Sequence, residues 1–513
     1  MLNSLVFCII FLVAVNGQNY DEQYRLQVHY SVKSAWSNDP NGLIYAGGYY
    51  HLFYQFYPND IVWGPMHWGH ARSKDLIHWE NMPIALEPYD KWMIFSGCCV
   101  IDKSNVAGFL SDRSNNTDQT EDTLIAIFTL KELNGTEQSE GMAYSFDAGT
   151  TWTQYVNNPI IRIPGIVDFR DPMVFQRNGQ FYMTLDLGDR IRFYSSTDLK
   201  TWKDEFDFGV NPDEGDKSGV WECPSMVTLK DEQGNEHDVL IVSVLAPEGC
   251  FAQYFVGKFT ESHFNSYNQS KVALLDNGFD NYASVPYIND PLGRIILIGW
   301  MSNWLYSDKI PTSTWRGQYT IPRELTLKTI HGQIYLVQQP IRELNNLIDP
   351  LRTWSLSKPM KVSGFKTIDL TEEIPFVLAS AYILDFEYDI GNVTQGNLSI
   401  RFSNSFDEFI AFRYDFSDNS IEFDRTNSGN FSFSSKLVKK EPRISNSNIF
   451  SGKVILDTSS VEKFVDGGLN VFTNLVFPAE PYNKIQLFTA FENAEESVTV
   501  SKLNVTCLNS IWK

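Results

Sequence analysis

Short runs of apolar and aromatic residues, broken by Gly, Asn, Asp and Pro, repeat along the chain from about Tyr30 to Leu347. Gly48 to Phe56 (GYYHLFYQF), Asp122 to Thr129 (DTLIAIFT), Gly179 to Asp186 (GQFYMTLD), His237 to Leu245 (HDVLIVSVL) and Arg294 to Trp300 (RIILIGW) are of this kind. Runs of this length with turn residues between them predict β-strands, and no long 3.6-residue periodicity interrupts them, so helix content is expected to be low. Three segments share the order Ser-x-Asp, turn, Trp, and end at Trp79, Trp152 and Trp202. The Asp closes an Asx-type turn while the Trp packs on a neighbouring sheet. Their separation, roughly 50 to 70 residues, fits repeating four-stranded units such as propeller blades, and recurrent hairpins in another all-β fold are the alternative.

Leu344 to Lys358, with Pro350 inside it and Pro359 just beyond, reads as a domain junction. After it, apolar and polar positions alternate in Phe376 to Tyr388, Asn397 to Phe402 and Lys484 to Phe491. Alternation of that kind predicts a β-sandwich. The expected organisation is an all-β chain: residues 1–17 a leader, 18–345 a five-bladed β-propeller, and 346–513 a β-sandwich.

At the N-terminus, Leu5 to Val15 is an apolar run of 11 residues followed by polar sequence, too short to span a bilayer and suited to the core of a signal peptide. With the leader removed the chain is expected to be soluble and secreted. N-x-S/T sequons at Asn115, Asn134, Asn268, Asn392, Asn397, Asn430 and Asn504 suit a glycosylated extracellular chain. Without Cys8, the cysteines are Cys98, Cys99, Cys223, Cys250 and Cys507. This odd set leaves at least one free or paired between chains and implies no disulfide framework. No Cys/His cluster has zinc spacing, so neither metal nor cofactor is expected.

The formal net charge of −21 excludes nucleic acid and an anionic membrane as partners, since both need a basic footprint, and favours a neutral substrate. Aromatic residues make up 14% of the chain, which fits both strand-rich cores and a sugar site, and composition does not separate the two.

Three acidic residues stand out by their surroundings. Trp36 to Gly42 (WSNDPNG) has the composition of a tight turn, as does Asn289 to Gly293 (NDPLG), where Asp290 reads as part of a plain hairpin without partners. Asp39 differs because Phe169 to Pro172 (FRDP) and Trp221 to Pro224 (WECP) repeat its plan: an aromatic before the acid and a proline one or two places after it. Proline fixes its own φ and pushes the preceding residue toward extended geometry, so each acid is rigidly aimed beside an apolar ring. Such surroundings separate carboxylate pKa values, and two carboxyls across a glycosidic bond suffice for its hydrolysis.

These segments, with YHLFYQFYP, WGPMHWGHA, FSG and QYFVG, resemble glycoside hydrolase family 32, the invertases, exo-inulinases and related β-fructofuranosidases. The resemblance runs from about His29 to Gln339, includes GWMSNW (Gly299 to Trp304) and PTSTWR (Pro311 to Arg316), and resumes at SSVEKFVDGG (Ser459 to Gly468). It implies a five-bladed propeller followed by a sandwich. It also implies that Asp39 is the nucleophile, Glu222 the general acid and base, and Asp171 with Arg170 the transition-state stabiliser. Substrate contacts implied by similarity are Trp36, Asn38, Gln55, Trp63, Phe95, Ser96 and Trp315, with propeller packing as the alternative for Trp63 and Trp315. Retention of configuration follows if the Asp39 and Glu222 carboxyls lie about 5 Å apart.

The chain departs from the family at two places. Ser37 stands where Met is usual, which is expected to alter the pocket wall, and Cys98 replaces a serine after FSG. The expected activity is hydrolysis of terminal β-fructofuranosyl units of sucrose and of inulin- or levan-type fructans. A fructosyltransferase on the same scaffold, an inactive sugar-binding propeller and an arabinan-acting five-bladed glycosidase are the competing readings. The last lacks WSNDPNG and WECP, and an inactive propeller would be expected to lose one of the carboxylates.

Overall fold

The computed structural model describes residues 20–112, 122–267, 272–391, 393–491, 493 and 495–512. The expected leader and the sequons at Asn115, Asn268 and Asn392 lie outside these residues. Five sheets of antiparallel strands follow one another up to Pro340. Their first strands are Ala35–Ala46, Trp92–Asp102, Phe169–Arg177, Val220–Lys230 and Tyr282–Pro286. Each first strand packs against the next, and the fifth returns to the first, which closes a five-bladed propeller around them. A two-residue strand from the connection between the second and third strands of the fifth blade, Trp315–Arg316, pairs in parallel with Ala35 and Trp36 and seals the join.

The repeated Ser-x-Asp-turn-Trp segments are one clasp used three times. Ser73, Ser145 and Ser196 donate to Asp75, Asp147 and Asp198, at 3.0, 2.8 and 3.1 Å. Each Asp then accepts backbone N–H groups within the turn that follows, from Ile77, Thr151 and Thr201 among others. In the second and third copies the Trp indole N–H caps the same turn, reaching Gly149 O and Leu199 O. Local side-chain hydrogen bonds therefore fix the third-to-fourth strand corner of three blades.

From Ile348 onward two sheets face each other. One runs Ile348–Ser355, Ser497–Leu508, Tyr382–Asp389, Ile449–Asp457, Ser460–Val465 and Asn470–Leu475. The other is centred on Lys484–Ala490, Asn397–Ser403 and Phe409–Asp415. Leu384, Phe386, Leu398, Ile400, Phe402, Phe412, Val454 and Ile485 fill the space between them, as expected of an alternating sandwich. Helix among the described residues is limited to three short 3₁₀ turns.

Propeller and sandwich are joined by buried ion pairs. His29 bridges Asp457 at 2.8 Å and Glu462 at 2.9 Å, Arg323 binds Glu462 and Asp276 at 2.6 and 2.9 Å, and Arg425 binds Asp280 at 2.7 Å. Buried charges persist when they are partnered; here His29, Arg323 and Arg425 meet carboxylates across the interface, and Arg323 also holds Asp276 within the propeller.

Candidate active site

Each first strand carries one extra residue at the same end of the propeller. Asn38 and Asp39 together face the single residue Gln55; Phe95 and Ser96 face Thr129; Asp171 and Pro172 face Leu185; Cys223 and Pro224 face Val242; Ala283 and Ser284 face Gly299. These are β-bulges, which break the in–out alternation and re-aim a side chain. Five bulges on five neighbouring strands turn groups that a regular strand would point into a blade toward the central axis instead. Asp171 and Cys223 take left-handed backbone angles, φ +64° and +50°, where they open their bulges.

This geometry corrects the turn predicted for WSNDPNG, which is instead a doubly bulged stretch of the strand Ala35–Ala46. The prolines mark the bulges: Pro172 and Pro224 are second bulge residues and Pro40 follows one, positions where the missing N–H costs no ladder bond. Asp290 does lie in a hairpin turn, yet it is not without partners. It accepts from the Tyr50 hydroxyl at 2.6 Å and from Arg294 at 3.2 Å, and so serves the structure.

The bulges frame a cavity of about 390 Å³ lined by Asn38, Asp39, Gln55, Trp63, Phe95, Ser96, Arg170, Asp171, Glu222, Leu245 and Trp304. Asp39 accepts the Ser96 hydroxyl at 2.7 Å and the Asn38 amide at 3.1 Å, and the Trp36 indole N–H in turn fixes Asn38 at 2.8 Å. Burial pushes the Asp39 carboxyl above the usual carboxylate range and the charge of Glu222 adds to this, while the Ser96 and Asn38 hydrogen bonds oppose it. Asp171 accepts the backbone N–H of Cys223 at 3.0 Å, and its own N–H donates to Thr129 Oγ1 at 2.9 Å. Burial raises Asp171 to about 7; Arg170 works against the rise, and the charges of Glu222 and Asp39 add to it. Glu222 accepts Arg170 through Nε at 3.0 Å and through the second guanidinium nitrogen at 2.7 Å, and its other oxygen accepts the Tyr282 hydroxyl.

The Cys223 thiol lies 3.5 Å from Asp171 and 3.8 Å from Asp39. Burial and then the surrounding carboxylates push it well above its ordinary range, so it remains an S–H between two acids. The arrangement brings three carboxyl groups around one pocket with a single guanidinium in its lining. It can supply a nucleophile, a proton donor and a counter-charge for a cationic sugar ring.

Nine of the expected residues line this cavity, and Trp36 and Trp315 do not. Trp36 is buried and acts through Asn38. Trp315 is buried too, with the Arg25 guanidinium stacked 3.6 Å above its ring. Trp63 is 44% exposed at the rim and meets Phe95 edge to face at 6.1 Å. Trp304 and Leu245 complete the lining and are not among the residues the sequence points to. The only trace of Trp304 was its place at the end of GWMSNW, and Leu245 sits at the end of an apolar run like many others.

Ser37 is not part of the pocket wall. It is fully buried, and a Cβ on Gly317 would come within 2.3 Å of its hydroxyl, so the side chain lies against the strand that seals the ring. Cys98 does not line this cavity either and accepts the Val174 N–H at 3.2 Å. All five described cysteines are free and buried. Among the described residues, no group of three or more His, Cys, Asp or Glu side chains is arranged to hold a metal.

Comparison with known proteins places the whole chain. The signature "Glycosyl hydrolases family 32 N-terminal domain" matches residues 29–340, and "Glycosyl hydrolases family 32 C terminal" matches residues 352–506. The chain belongs to glycosyl hydrolase family 32. Among family 32 relatives it is 36% identical to a levanase of Bacillus subtilis, over 97% of this chain and 72% of that protein. It is 34% identical to invertase 1 of Saccharomyces cerevisiae, over 88% of each chain. The crystal structure of the exo-inulinase of Aspergillus awamori superposes with a TM-score of 0.85 at 30% identity, covering 96% of this chain and 100% of that one. The family 32 relationship thus spans both the propeller and the sandwich.

Proposed function

We propose that this protein is a retaining β-fructofuranosidase that removes terminal non-reducing β-D-fructofuranosyl units from sucrose and from inulin- or levan-type fructans. The observation that carries this reading is the convergence of Asp39, Asp171 and Glu222, from three blades, on one pocket. Asp39, oriented by Ser96 and Asn38, attacks the anomeric carbon of the fructosyl unit. Glu222 protonates the departing oxygen and then takes a proton from the incoming water. Asp171 grips fructose hydroxyls as positive charge develops on the ring, and its carboxyl, raised to about 7, accepts or donates according to pH. Gln55, Trp63, Phe95 and Trp304 supply the walls. The names of the relatives, levanase, invertase and exo-inulinase, support release of fructose from more than one linkage.

The proposed organisation is a secreted chain with a leader at 1–17, a catalytic propeller at 18–345 and a sandwich at 346–513. The gap between the last blade strand, ending at Pro340, and the first sandwich strand, starting at Ile348, supports the second boundary. Of the sequons, Asn134 and Asn430 are exposed and open to glycosylation.

The test is kinetic. Purified protein is assayed on sucrose, inulin and levan beside Asp39→Ala and Glu222→Ala, and the first-formed anomer of fructose is read by NMR. The expected result is free β-fructose from the wild type and at least about a 10³-fold loss in kcat for either variant. Near-native activity of Asp39→Ala would refute the mechanism. Oligofructan without free fructose at high sucrose would instead make the protein a transferase.

A further inference from the structure

Arg170 is shared. Its Nε and one terminal nitrogen hold Glu222, while the other terminal nitrogen holds Asp168, with Gln138 Oε1 at 3.4 Å. Asp168 immediately precedes the strand Phe169–Arg177, is about one-third exposed at its side chain, and does not line the sugar cavity. Its backbone is left-handed, φ +59°, a conformation the short Asp side chain tolerates and that here turns the carboxylate back onto Arg170. None of the roles drawn above uses Asp168.

We propose that Asp168 is a positioning residue for the acid–base step, holding one edge of the Arg170 guanidinium and so limiting how fully that cation pairs with Glu222. The inference rests on the hydrolase reading above. A carboxyl that must carry a proton to a leaving oxygen is hindered by an unshared cation on its oxygen, because the cation favours the ionised form. A guanidinium bridging two carboxylates can still orient Glu222 while its charge is balanced from the other side.

The neighbours of both groups determine whether Asp168 matters. Around Arg170 stand Asp168, Asp171, Asp186 and Glu222. Around Glu222 stand Arg170, Asp39, Asp171, Asp186, Cys223, Cys250 and Tyr282. Asp186 is fully buried, and burial pushes it well above the carboxylate range while Arg170 works against the rise. Of the carboxylates around Arg170, Asp168 is the most exposed, and it lies across the guanidinium from Glu222.

Asp168→Asn preserves the left-handed backbone and an acceptor oxygen but removes the charge. Asp168→Gly preserves the backbone and removes both. A unit charge roughly 7 Å away at an effective dielectric near 20 corresponds to one to two pH units, which solvent at Asp168 reduces to about half to one unit. In both variants the basic limb of kcat/KM against pH is expected to move to lower pH by that amount, with KM little changed. A uniform loss of kcat with the limb unmoved would make Asp168 merely structural and overturn the proposal.

A wild type inert toward sucrose, inulin and levan would remove the functional reading instead. Crystal structures of the wild type and Asp168→Gly, which keeps no side-chain acceptor for the guanidinium, decide the point without activity. Arg170 closing fully on Glu222 in the variant supports the proposal, and an unmoved Arg170 refutes it.

Discussion

Lys463, in the segment SSVEKFVDGG, is a lysine in the wrong solvent. It is 2% exposed between the sandwich sheets, with its ammonium 4.5 Å from the Phe412 ring centre and 5.3 and 5.4 Å from those of Phe386 and Phe450. The nearby carboxylate, Asp466, is already taken by Arg443 at 2.6 Å. Burial lowers Lys463 from 10.5 to about 7. At about 1.36 kcal/mol per pH unit, that difference sets a ceiling of about 5 kcal/mol on what charging this side chain costs the fold. Relaxation of the cage and the attraction of the rings for the cation bring the net to about 2–4 kcal/mol.

Lys463→Met keeps the apolar stem and removes the ammonium, so it is expected to stabilise the sandwich. The sign follows from linkage. A lysine depressed in the folded state carries its full penalty below about pH 7, and the penalty fades as pH rises toward 10.5, because only the unfolded chain then binds the proton. At pH 5 the calorimetric transition of the sandwich should therefore rise by on the order of 5–10 °C, and at pH 9.5 by far less. An unchanged transition at pH 5, or an equal gain at both pH values, would refute the reasoning.

Two further outcomes follow from the ring closure and the domain interface. Gly317→Ala is expected to lose about 2–4 kcal/mol and to lower kcat at least 10-fold, read by melting and by sucrose turnover. Its Cβ would sit 2.0 Å from Ser37 O at φ +106°, beside the strand that carries Asp39. His29 is raised to about 9, burial opposing while the Asp457 and Glu462 hydrogen bonds and charges prevail, so its contribution is full below about pH 6.5 and lost between there and pH 9. His29→Gln is accordingly expected to lower the melting temperature strongly at pH 5.5 and much less at pH 9.5; equal losses at both would contradict a charged His29.

The strands, the repeated clasps and the three acids were legible because each is a local event. An Asx turn closes within a few residues, an apolar run of strand length must be buried, and an acid framed by an aromatic and a proline has few backbone options. Errors arose where neighbouring strands decide. WSNDPNG has turn composition, but pairing with Tyr49–Tyr57 keeps it extended and absorbs the extra residue as a bulge. Ser37 and Trp315 stand next to recognisable motif letters, yet the parallel strand Trp315–Arg316 draws both into the seam of the ring.

By itself the sequence determined which three acids would stand out, the ones that meet in one pocket, and that the chain would build its sheets mostly from successive strands, since these depend on residue type and short-range spacing. Only the tertiary structure decided that five bulges fall at one end of the barrel of first strands, that Arg170 is divided between Asp168 and Glu222, and that a lysine lies among phenylalanines. Those facts depend on register and on contacts between residues far apart in the chain. A one-residue slip in any first strand would send its site residue to the opposite face.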